Sequence, residues 1–134
     1  MRLPLTSIIL AFMVGGKTQG QLQGQFTVRR TDNFDISDAC LLPSGDLLLL
    51  ERKFSLSGGV GIRIRRIALT TIAPGALVDG PAVFTADLGQ EIDNFEGIDA
   101  FADSDGNTVL TLVSDDNFSL LQRTLLMQFT LIED

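Results

Sequence analysis

Short apolar runs, most of them alternating with polar residues, follow one another along the chain and are separated by turn-forming residues. Residues 25–29 alternate with the period of two that is typical of a β-strand, whereas residues 47–50 are all leucine, as expected for a strand covered on both faces. No segment keeps a helical period for three turns. The pattern predicts an all-β fold with a loop at residues 70–80 and strands at residues 25–29, 36–42, 46–51, 62–67, 83–88, 96–101, 108–114 and 124–132.

The phrase Phe-Ser-Leu occurs twice, at residues 54–56 and 118–120, and each copy follows a turn and an apolar run. The turns, at residues 43–45 and 103–107, have the composition of hairpin connections. A repeat of this kind indicates units that bury their cores by stacking. We therefore expect antiparallel strands that form about two blades of a β-propeller-like architecture, with a small β-sandwich as the alternative.

The first 21 residues allow two interpretations. Arg2 followed by the apolar run 3–14 resembles the start of a secretory signal peptide, which predicts a secreted or periplasmic protein. The same run would also serve as a buried strand. It is shorter than the stretch of about 20 apolar residues that a membrane-spanning helix needs, so we expect no membrane span. The expected organisation is a partial phytase-like β domain at residues 22–134. It is preceded at residues 1–21 by a signal peptide or by a remnant strand of an incomplete repeat.

Composition removes several classes of chemistry. The chain has no histidine, which excludes histidine-based nucleophilic catalysis and histidine metal ligands. Cys40 is the only cysteine, so no intrachain disulfide can form, and its apolar neighbours favour a small buried side chain over a nucleophile.

Charge is distributed unevenly along the chain. The net charge is −7, and the stretch between Arg66 and Arg123 holds ten carboxylates and no Lys or Arg. This argues against nucleic acid as a partner. A cation, or an anionic ligand bridged by one, is the natural counterpart of such a stretch, and a solvated acidic face is the alternative.

Acidic residues meet at one end of the second predicted hairpin. Glu96 opens its first strand, and Asp115 and Asp116 follow its second strand, so antiparallel pairing brings them to one sheet edge. Carboxylate oxygens suit Ca²⁺, or Mg²⁺ with waters, and crowded carboxylates would alternatively provide an acid beside a base. Residues 115–117 could instead form a turn whose side chains bind local backbone amides. The stretch 103–107 begins like a calcium loop but lacks the later Glu, and a hairpin turn explains it better.

Two arginines alternate with isoleucines at residues 62–65. The period of two places Arg63 and Arg65 on the same face of a strand. That face is either solvated or a patch that binds phosphate or carboxylate. Residues 51–53 (Glu-Arg-Lys) align with residues 115–117 of the second repeat, so acidic and basic groups could converge either on a metal-bridged anion or in a salt-bridge network between neighbouring blades.

Several phrases of the sequence resemble the bacterial phytase-like family (the esterase-like activity of phytase domain). They are residues 34–39, 42–52, 93–97 and 114–126, in the family's order, and the resemblance covers roughly residues 26–132. It corresponds to the C-terminal part of the family. The resemblance implies a β-propeller-like fold in an exported bacterial protein, with hydrolysis of phosphate or carboxylic esters. The residues that match the family's polar motifs are Asp38, Glu51, Arg52, Glu96, Asp115, Asp116, Asn117 and Arg123.

These observations lead to an expected hydrolase that acts on a small anionic ester. Glu96, Asp115 and Asp116 would be the catalytic residues and would also hold Ca²⁺ where a metal is used. The residues expected to bind the substrate are Arg52, Arg123 and Asn117. The alternative is a non-catalytic binding or structural module, or a truncated fragment without independent activity, because two blades cannot close a ring. Exposed strand edges would then favour self-association.

Overall fold

The computed structural model describes residues 5–13, 20–54, 60–87, 95–114 and 125–133. Within these ranges the chain forms strands joined by turns and one short 3₁₀ turn at Leu69–Thr71. No helix in the described part is long and apolar enough to cross a membrane. The strands are β1 (Leu5–Met13), β2 (Gly20–Arg29), β3 (Asp35–Leu41), β4 (Leu47–Phe54), β5 (Val60–Ile67), β6 (Leu77–Val78), β7 (Ala82–Asp87), β8 (Phe95–Ala102), β9 (Thr108–Ser114) and β10 (Leu125–Leu131).

The prediction of an all-β fold is confirmed, and each predicted strand overlaps one of these elements. The predicted loop at residues 70–80 contains the two-residue strand β6, which is too short to leave a periodic signal in the sequence. The arrangement as propeller blades stays a prediction. Residues 5–13 form a strand that pairs with β2 in antiparallel register.

The strands form three sheets. Sheet A has the order β1–β2–β6, sheet B the order β3–β4–β5–β7, and sheet C the order β10–β9–β8. Neighbouring strands are antiparallel except β2 and β6, which pair in parallel through Thr27 with Leu77 and Val28 with Val78. Each sheet is built largely from strands that are consecutive in sequence, as expected for a repeated unit.

Sheet B lies between the other two sheets, which explains why the leucine run of β4 does not alternate. Leu48 and Leu50 pack with apolar residues of sheet C, among them Phe95 and Leu112. Leu49, on the opposite face, packs with apolar residues of sheet A: Phe26, Val28 and Val78. Both faces of β4 are therefore removed from water, as the sequence predicted.

The two repeats share the geometry of their hairpins. In the first turn the backbone N–H of Leu42 donates to the carbonyl of Asp46 at 2.8 Å, and in the second Asp103 donates to Asn107 at 2.8 Å. Gly45 and Gly106 take positive φ at equivalent points of these turns. The Asp103 carboxylate accepts the N–H groups of Asp105 and Asn107, both at 2.9 Å. This stretch is thus a hairpin turn and not a calcium loop.

A bulge in each hairpin provides a reference point for aligning the two repeats. The first lies between Ile36 and Asp38 of β3, where Ile36 pairs with Glu51. The second lies between Phe95 and Gly97 of β8, where Phe95 pairs with Ser114. Counted from the bulges, Glu51 is therefore equivalent to Ser114. Counted from the turns, with Leu42 equivalent to Asp103, Glu51 is equivalent to Leu112 instead, because the second hairpin is two residues longer on each strand between turn and bulge. The alignment of Glu51 with Asp115 from the repeated phrase agrees with neither count, since that phrase shows neither the length of a hairpin nor the position of a bulge.

Gly80 is predicted to be intolerant of any side chain. A Cβ at this position would overlap the backbone carbonyl oxygen of Arg66, which cannot rotate away. We expect Gly80→Ala to lower the free energy of unfolding by about 1–3 kcal/mol, the usual range for overpacking. Urea unfolding measures this, with Gly61→Ala as the control because a Cβ there meets Phe34 at an ordinary distance of 3.5 Å. Equal stability of the two variants would contradict the prediction.

Acid should weaken the fold through Asp46. Its carboxylate accepts the N–H of Leu69 at 2.8 Å and the Nε–H of Arg66 at 2.8 Å, and these bonds lower the pKa of Asp46. A lowered pKa gives stability that is present above the unfolded carboxyl value of about 3.9 and is lost as the pH falls through the folded value. Urea unfolding across the acidic range should therefore show a shallower loss of stability in Asp46→Asn than in the wild type. Identical slopes would exclude this role.

Candidate functional site

Glu96 lies where the sequence placed it, at the start of β8 beside the end of β9. It is the residue that the bulge adds between Phe95 and Gly97. Its side chain is exposed, and no described residue forms an ion pair with it. Phe95 pairs with Ser114, and Asp115 and Asp116 follow Ser114 in the sequence. Bulges commonly re-aim a side chain next to a site.

Arg52 lies at the corresponding end of the first hairpin, where it pairs with Asp35. It is half-buried, and its guanidinium carbon lies 5.6 Å from the centroid of the Phe54 ring. This contact holds the side chain against an aromatic face without occupying its N–H donors. Toward the described residues, the N–H donors of Arg52 therefore make no hydrogen bond and could bind an anion.

The remaining predicted site residues lie outside the described residues: Asp115, Asp116, Asn117 and Arg123. The same holds for the second Phe-Ser-Leu phrase and for Ser55 and Leu56 of the first. Within the described part of the chain, no three Asp, Glu, Cys or His side chains come together in a group that could hold a metal ion. The calcium site stays a prediction that involves residues 115 and 116.

Asp38, which matches a polar motif of the family, joins two sheets. Its Oδ2 accepts the backbone N–H of Ile98 at 2.8 Å, from β3 to β8. Beside it, the Ser37 hydroxyl lies 3.3 Å from the carbonyl oxygen of Phe95 and 3.3 Å from that of Leu50, and its one proton can be donated to either. Because Ser37 meets Phe95 and Asp38 meets Ile98, β3 and β8 run side by side in the same direction. The open ends of both hairpins, with Arg52 and Glu96, consequently lie at the same edge of the molecule.

Glu51, another motif residue, is buried between two arginines. Its side chain is 1% exposed, and Oε1 accepts the Nε–H of Arg63 at 2.7 Å and of Arg65 at 3.1 Å. All three side chains belong to the face of sheet B that packs on sheet A, because β4 pairs with β5 in a register that sets Glu51 opposite Arg63. Charge-assisted bonds to both arginines satisfy this carboxylate without solvent.

The two arginines continue outward to further acidic partners. Arg63 Nη1 binds Asp32 Oδ2 at 3.0 Å, and Arg65 Nη1 binds Asp79 Oδ1 at 2.7 Å. Charges therefore alternate along one continuous row, which we call the ion-pair cluster. Its members are Asp32, Arg63, Glu51, Arg65 and Asp79. The cluster links the two central strands of sheet B with the segments that flank β3 and β6.

The turn before β3 is shaped to hold Arg63. Asp32 and Asn33 both take left-handed backbone conformations, which Asp and Asn tolerate better than other residues with a Cβ. Thr31 accepts from Arg63 Nη2 through its carbonyl at 3.1 Å and its hydroxyl at 2.9 Å. The Phe34 ring centroid lies 4.2 Å from the Arg63 guanidinium carbon. The Nε, Nη1 and Nη2 donors of Arg63 therefore each have an acceptor, and its guanidinium group lies against the Phe34 ring.

The sequence predicted correctly that Arg63 and Arg65 share a face, and the interpretation of that face as solvated is wrong. The arginines do bind a carboxylate, but it is the protein's own Glu51. The sequence missed Asp32 and Asp79, which lie in a turn and beside a short strand far from β5. The pairing of Glu51 with Arg63 could have indicated a buried ion pair. That pairing follows only from the register of β4 and β5, which the sequence does not show.

Cys40 is half-buried and packs against the core between sheets B and C. Burial, with the nearby carboxylates of Asp99 and Asp38, raises the pKa of its thiol to about 11. The thiol is therefore protonated at neutral pH, which is unsuitable for a nucleophile. The interpretation of Cys40 as a small core side chain accounts for its surroundings.

Removing the Glu51 carboxylate should destabilise the domain strongly. Glu51→Ala would leave Arg63 and Arg65 buried with no charge between them, a change that costs about 3–5 kcal/mol in comparable buried pairs. Chemical unfolding measures the loss, and Glu51→Gln should lose less because its amide oxygen still accepts a hydrogen bond. Asp35→Ala is the matched control, since it removes the exposed pair with Arg30, which contributes about 0–1 kcal/mol. Similar losses in Glu51→Ala and Asp35→Ala would contradict the prediction.

Comparison with known proteins identifies one matching family. The family model named phytase-like, described as esterase-like activity of phytase, matches residues 6–118. The match includes the ion-pair cluster, the bulge at Glu96, and both hairpins. No curated protein and no solved structure shows a significant match to the chain. Since the family model covers well over half of the chain, the protein belongs to the phytase-like family.

Proposed function

We propose that this phytase-like domain hydrolyses phosphate or carboxylic esters at the edge where β8 begins and β9 ends. This location is supported by the different surroundings of three carboxylates that match the family's polar motifs. Asp38 and Glu51 are bound within the fold, whereas Glu96 is exposed and has no ion-pair partner among the described residues. Of these three carboxylates, Glu96 is thus the one that is available for chemistry on a ligand.

The proposed roles follow from the positions of the residues at the open ends of the two hairpins. Glu96 acts with Asp115 and Asp116 as the acidic group of the site, because the pairing of Phe95 with Ser114 brings the start of β8 to the end of β9. Arg52, at the same edge of the molecule, binds the anionic part of the ester together with Arg123 and Asn117. A carboxylate of this group accepts the proton of the attacking water, and a protonated one donates to the leaving oxygen.

The donor chemistry of the acidic group fits Ca²⁺, which prefers oxygen ligands. The residues that would hold it are Glu96, Asp115 and Asp116. When bound, the ion would neutralise charge on the substrate and polarise the ester oxygen. Arg52 does not depend on the metal, because its guanidinium can bind an anion directly.

Hydrolysis of p-nitrophenyl phosphate, p-nitrophenyl acetate and phytate, with and without added Ca²⁺, tests the proposal. Glu96→Gln should lower kcat by about 100-fold or more if Glu96 transfers a proton. Arg52→Gln should mainly raise KM for the phosphate ester, because it removes ground-state binding of the anion. Both variants should keep the unfolding temperature of the wild type.

Asp105→Asn is the matched control, because Asp105 is an exposed carboxylate in the turn at the opposite end of the same hairpin. Its turnover should equal that of the wild type. Turnover of none of the three substrates by the folded wild-type chain would overturn the proposal. Equal rates in Glu96→Gln and Asp105→Asn would show that the activity resides elsewhere.

A non-catalytic structural or binding module is the second candidate, and the packing roles of Asp38 and Glu51 favour it. In that case the family's polar residues serve to hold sheets together. A thermal-shift titration separates the two functions. A phosphate ester or Ca²⁺ that raises the unfolding temperature of the wild type but not of Glu96→Gln supports a ligand site at Glu96.

A further inference from the structure

Asp38 matches a polar motif of the family, but the proposed reaction gives it no role. It is half-buried on β3, and its Oδ2 accepts the backbone N–H of Ile98 on β8 at 2.8 Å. β3 and β8 are edge strands of sheets B and C, and no backbone ladder joins them in the described part of the chain. The bond therefore connects two strand edges that have no main-chain pairing with each other.

The contact between β3 and β8 lies on both sides of Glu96 along the chain. Ile98 follows Glu96 by two residues, and a Cβ at the intervening Gly97 would lie 3.8 Å from Asp38 Oδ2. Before Glu96, the carbonyl oxygen of Phe95 lies 3.3 Å from the hydroxyl of Ser37. Two adjacent residues of β3 thus meet the backbone of β8 immediately before and after the exposed carboxylate.

The bulge makes this contact important for Glu96. The pairing of β8 with β9 passes from Phe95 directly to Gly97, so Glu96 has no partner on β9. An inserted residue of this kind is left unpaired by the ladder. The side chains of Phe95 and Ile98 are buried, and Asp38 holds the Ile98 N–H from the side of β3. The backbone that carries Glu96 is therefore held between two strands.

We propose that Asp38 is a positioning residue for Glu96. By accepting the N–H of Ile98 it fixes the bulge, and with it the direction in which the Glu96 side chain leaves the sheet edge. This inference rests on the proposed function, in which Glu96 transfers a proton. Such a step depends steeply on position, because a displacement of about 1 Å at a site can cost about 100-fold in rate.

Steady-state kinetics on the substrates named above test this role. Asp38→Ala should lower kcat by about tenfold or more and leave KM nearly unchanged, because Arg52 still binds the anion. Asp38→Asn keeps an oxygen that accepts a hydrogen bond and should restore most of the rate. A kcat in folded Asp38→Ala equal to that of the wild type would overturn the proposal.

A double variant separates positioning from a purely structural bond between the sheets. In the Glu96→Gln background, Asp38→Ala should cause no further loss of kcat, because Asp38 acts through the carboxylate that is already absent. A structural role would lower the rate by the same factor in both backgrounds. That result would overturn the proposal.

Asp103→Ala is the matched control. Asp103 also accepts backbone N–H groups through its carboxylate, but at the turn end of the hairpin formed by β8 and β9. This variant should lower the unfolding temperature and leave kcat unchanged. An equal loss of kcat in Asp103→Ala and Asp38→Ala would mean that the rate follows the stability of the hairpin, against the proposal. If Asp38→Ala does not fold, Asp38→Ser replaces it with the same expected loss, because its hydroxyl ends one bond short of the carboxylate oxygen.

Nuclear magnetic resonance gives a measurement that does not depend on activity. In Asp38→Ala the Ile98 amide should exchange with solvent about tenfold faster than in the wild type, because it loses its acceptor. Backbone relaxation should show increased motion at Glu96, while the amide of Leu112 on β9 keeps its protection. Unchanged motion at Glu96 in an active protein would overturn this inference alone. A folded wild type that hydrolyses none of the substrates would overturn the proposed function and the inference with it.

Discussion

The buried carboxylate of Glu51, held between Arg63 and Arg65, is the interaction on which the arrangement of sheets A and B depends. A single glutamate cannot neutralise two guanidinium groups, so the arginines must reach further acidic partners, and they find them in Asp32 and Asp79. These partners lie outside the strands that carry the arginines. The need to satisfy buried charge therefore fixes where the turn before β3 and the end of β6 can lie. Arg63 reaches Asp32 at 3.0 Å and Arg65 reaches Asp79 at 2.7 Å, so both positions are restricted by hydrogen-bond geometry.

The polar residues that match the family's motifs fall into two groups with different surroundings. Asp38 and Glu51 are bound to partners in the fold: Asp38 accepts the backbone N–H of Ile98, and Glu51 is buried between Arg63 and Arg65. Glu96 and Arg52 lie at the open ends of the hairpins, with Glu96 exposed and Arg52 half-buried against Phe54. Since both groups belong to the same motifs, matching a motif does not by itself identify a catalytic residue. Burial and hydrogen bonding decide which residues are available.

Much of the fold could be predicted from the sequence, because the strands have clear alternation and the turns carry Gly and Asp at characteristic places. The unbroken leucine run of β4 predicted burial on both faces, which the packing of Leu48 and Leu49 on opposite sheets confirms. The strand β6 could not be predicted, because two residues have no period. The partners of Arg63 and the equivalence of Glu51 with Ser114 could not be predicted either. The partners of Arg63 and this equivalence both depend on strand register. A bulge shifts the register by one residue, and the hydrophobic pattern does not show where it lies.

The bulges connect the fold to the proposed site. If β8 and β9 paired without a bulge, Glu96 would be one of the regular alternating residues and would occupy a fixed face of sheet C. The inserted position removes that constraint, so a charged side chain can lie at the sheet edge while Phe95 and Ile98 on either side remain buried. In the first repeat the same inserted position is filled by Ser37, whose hydroxyl lies 3.3 Å from the carbonyl oxygen of Phe95 on β8 and 3.3 Å from that of Leu50 on β4. One backbone irregularity thus serves contact between sheets in the first repeat. In the second it presents an exposed carboxylate at the start of β8, opposite the end of β9. The repeats keep the same backbone and differ in what the inserted residue does, which is the simplest way for a stacked fold to place a site in one unit only.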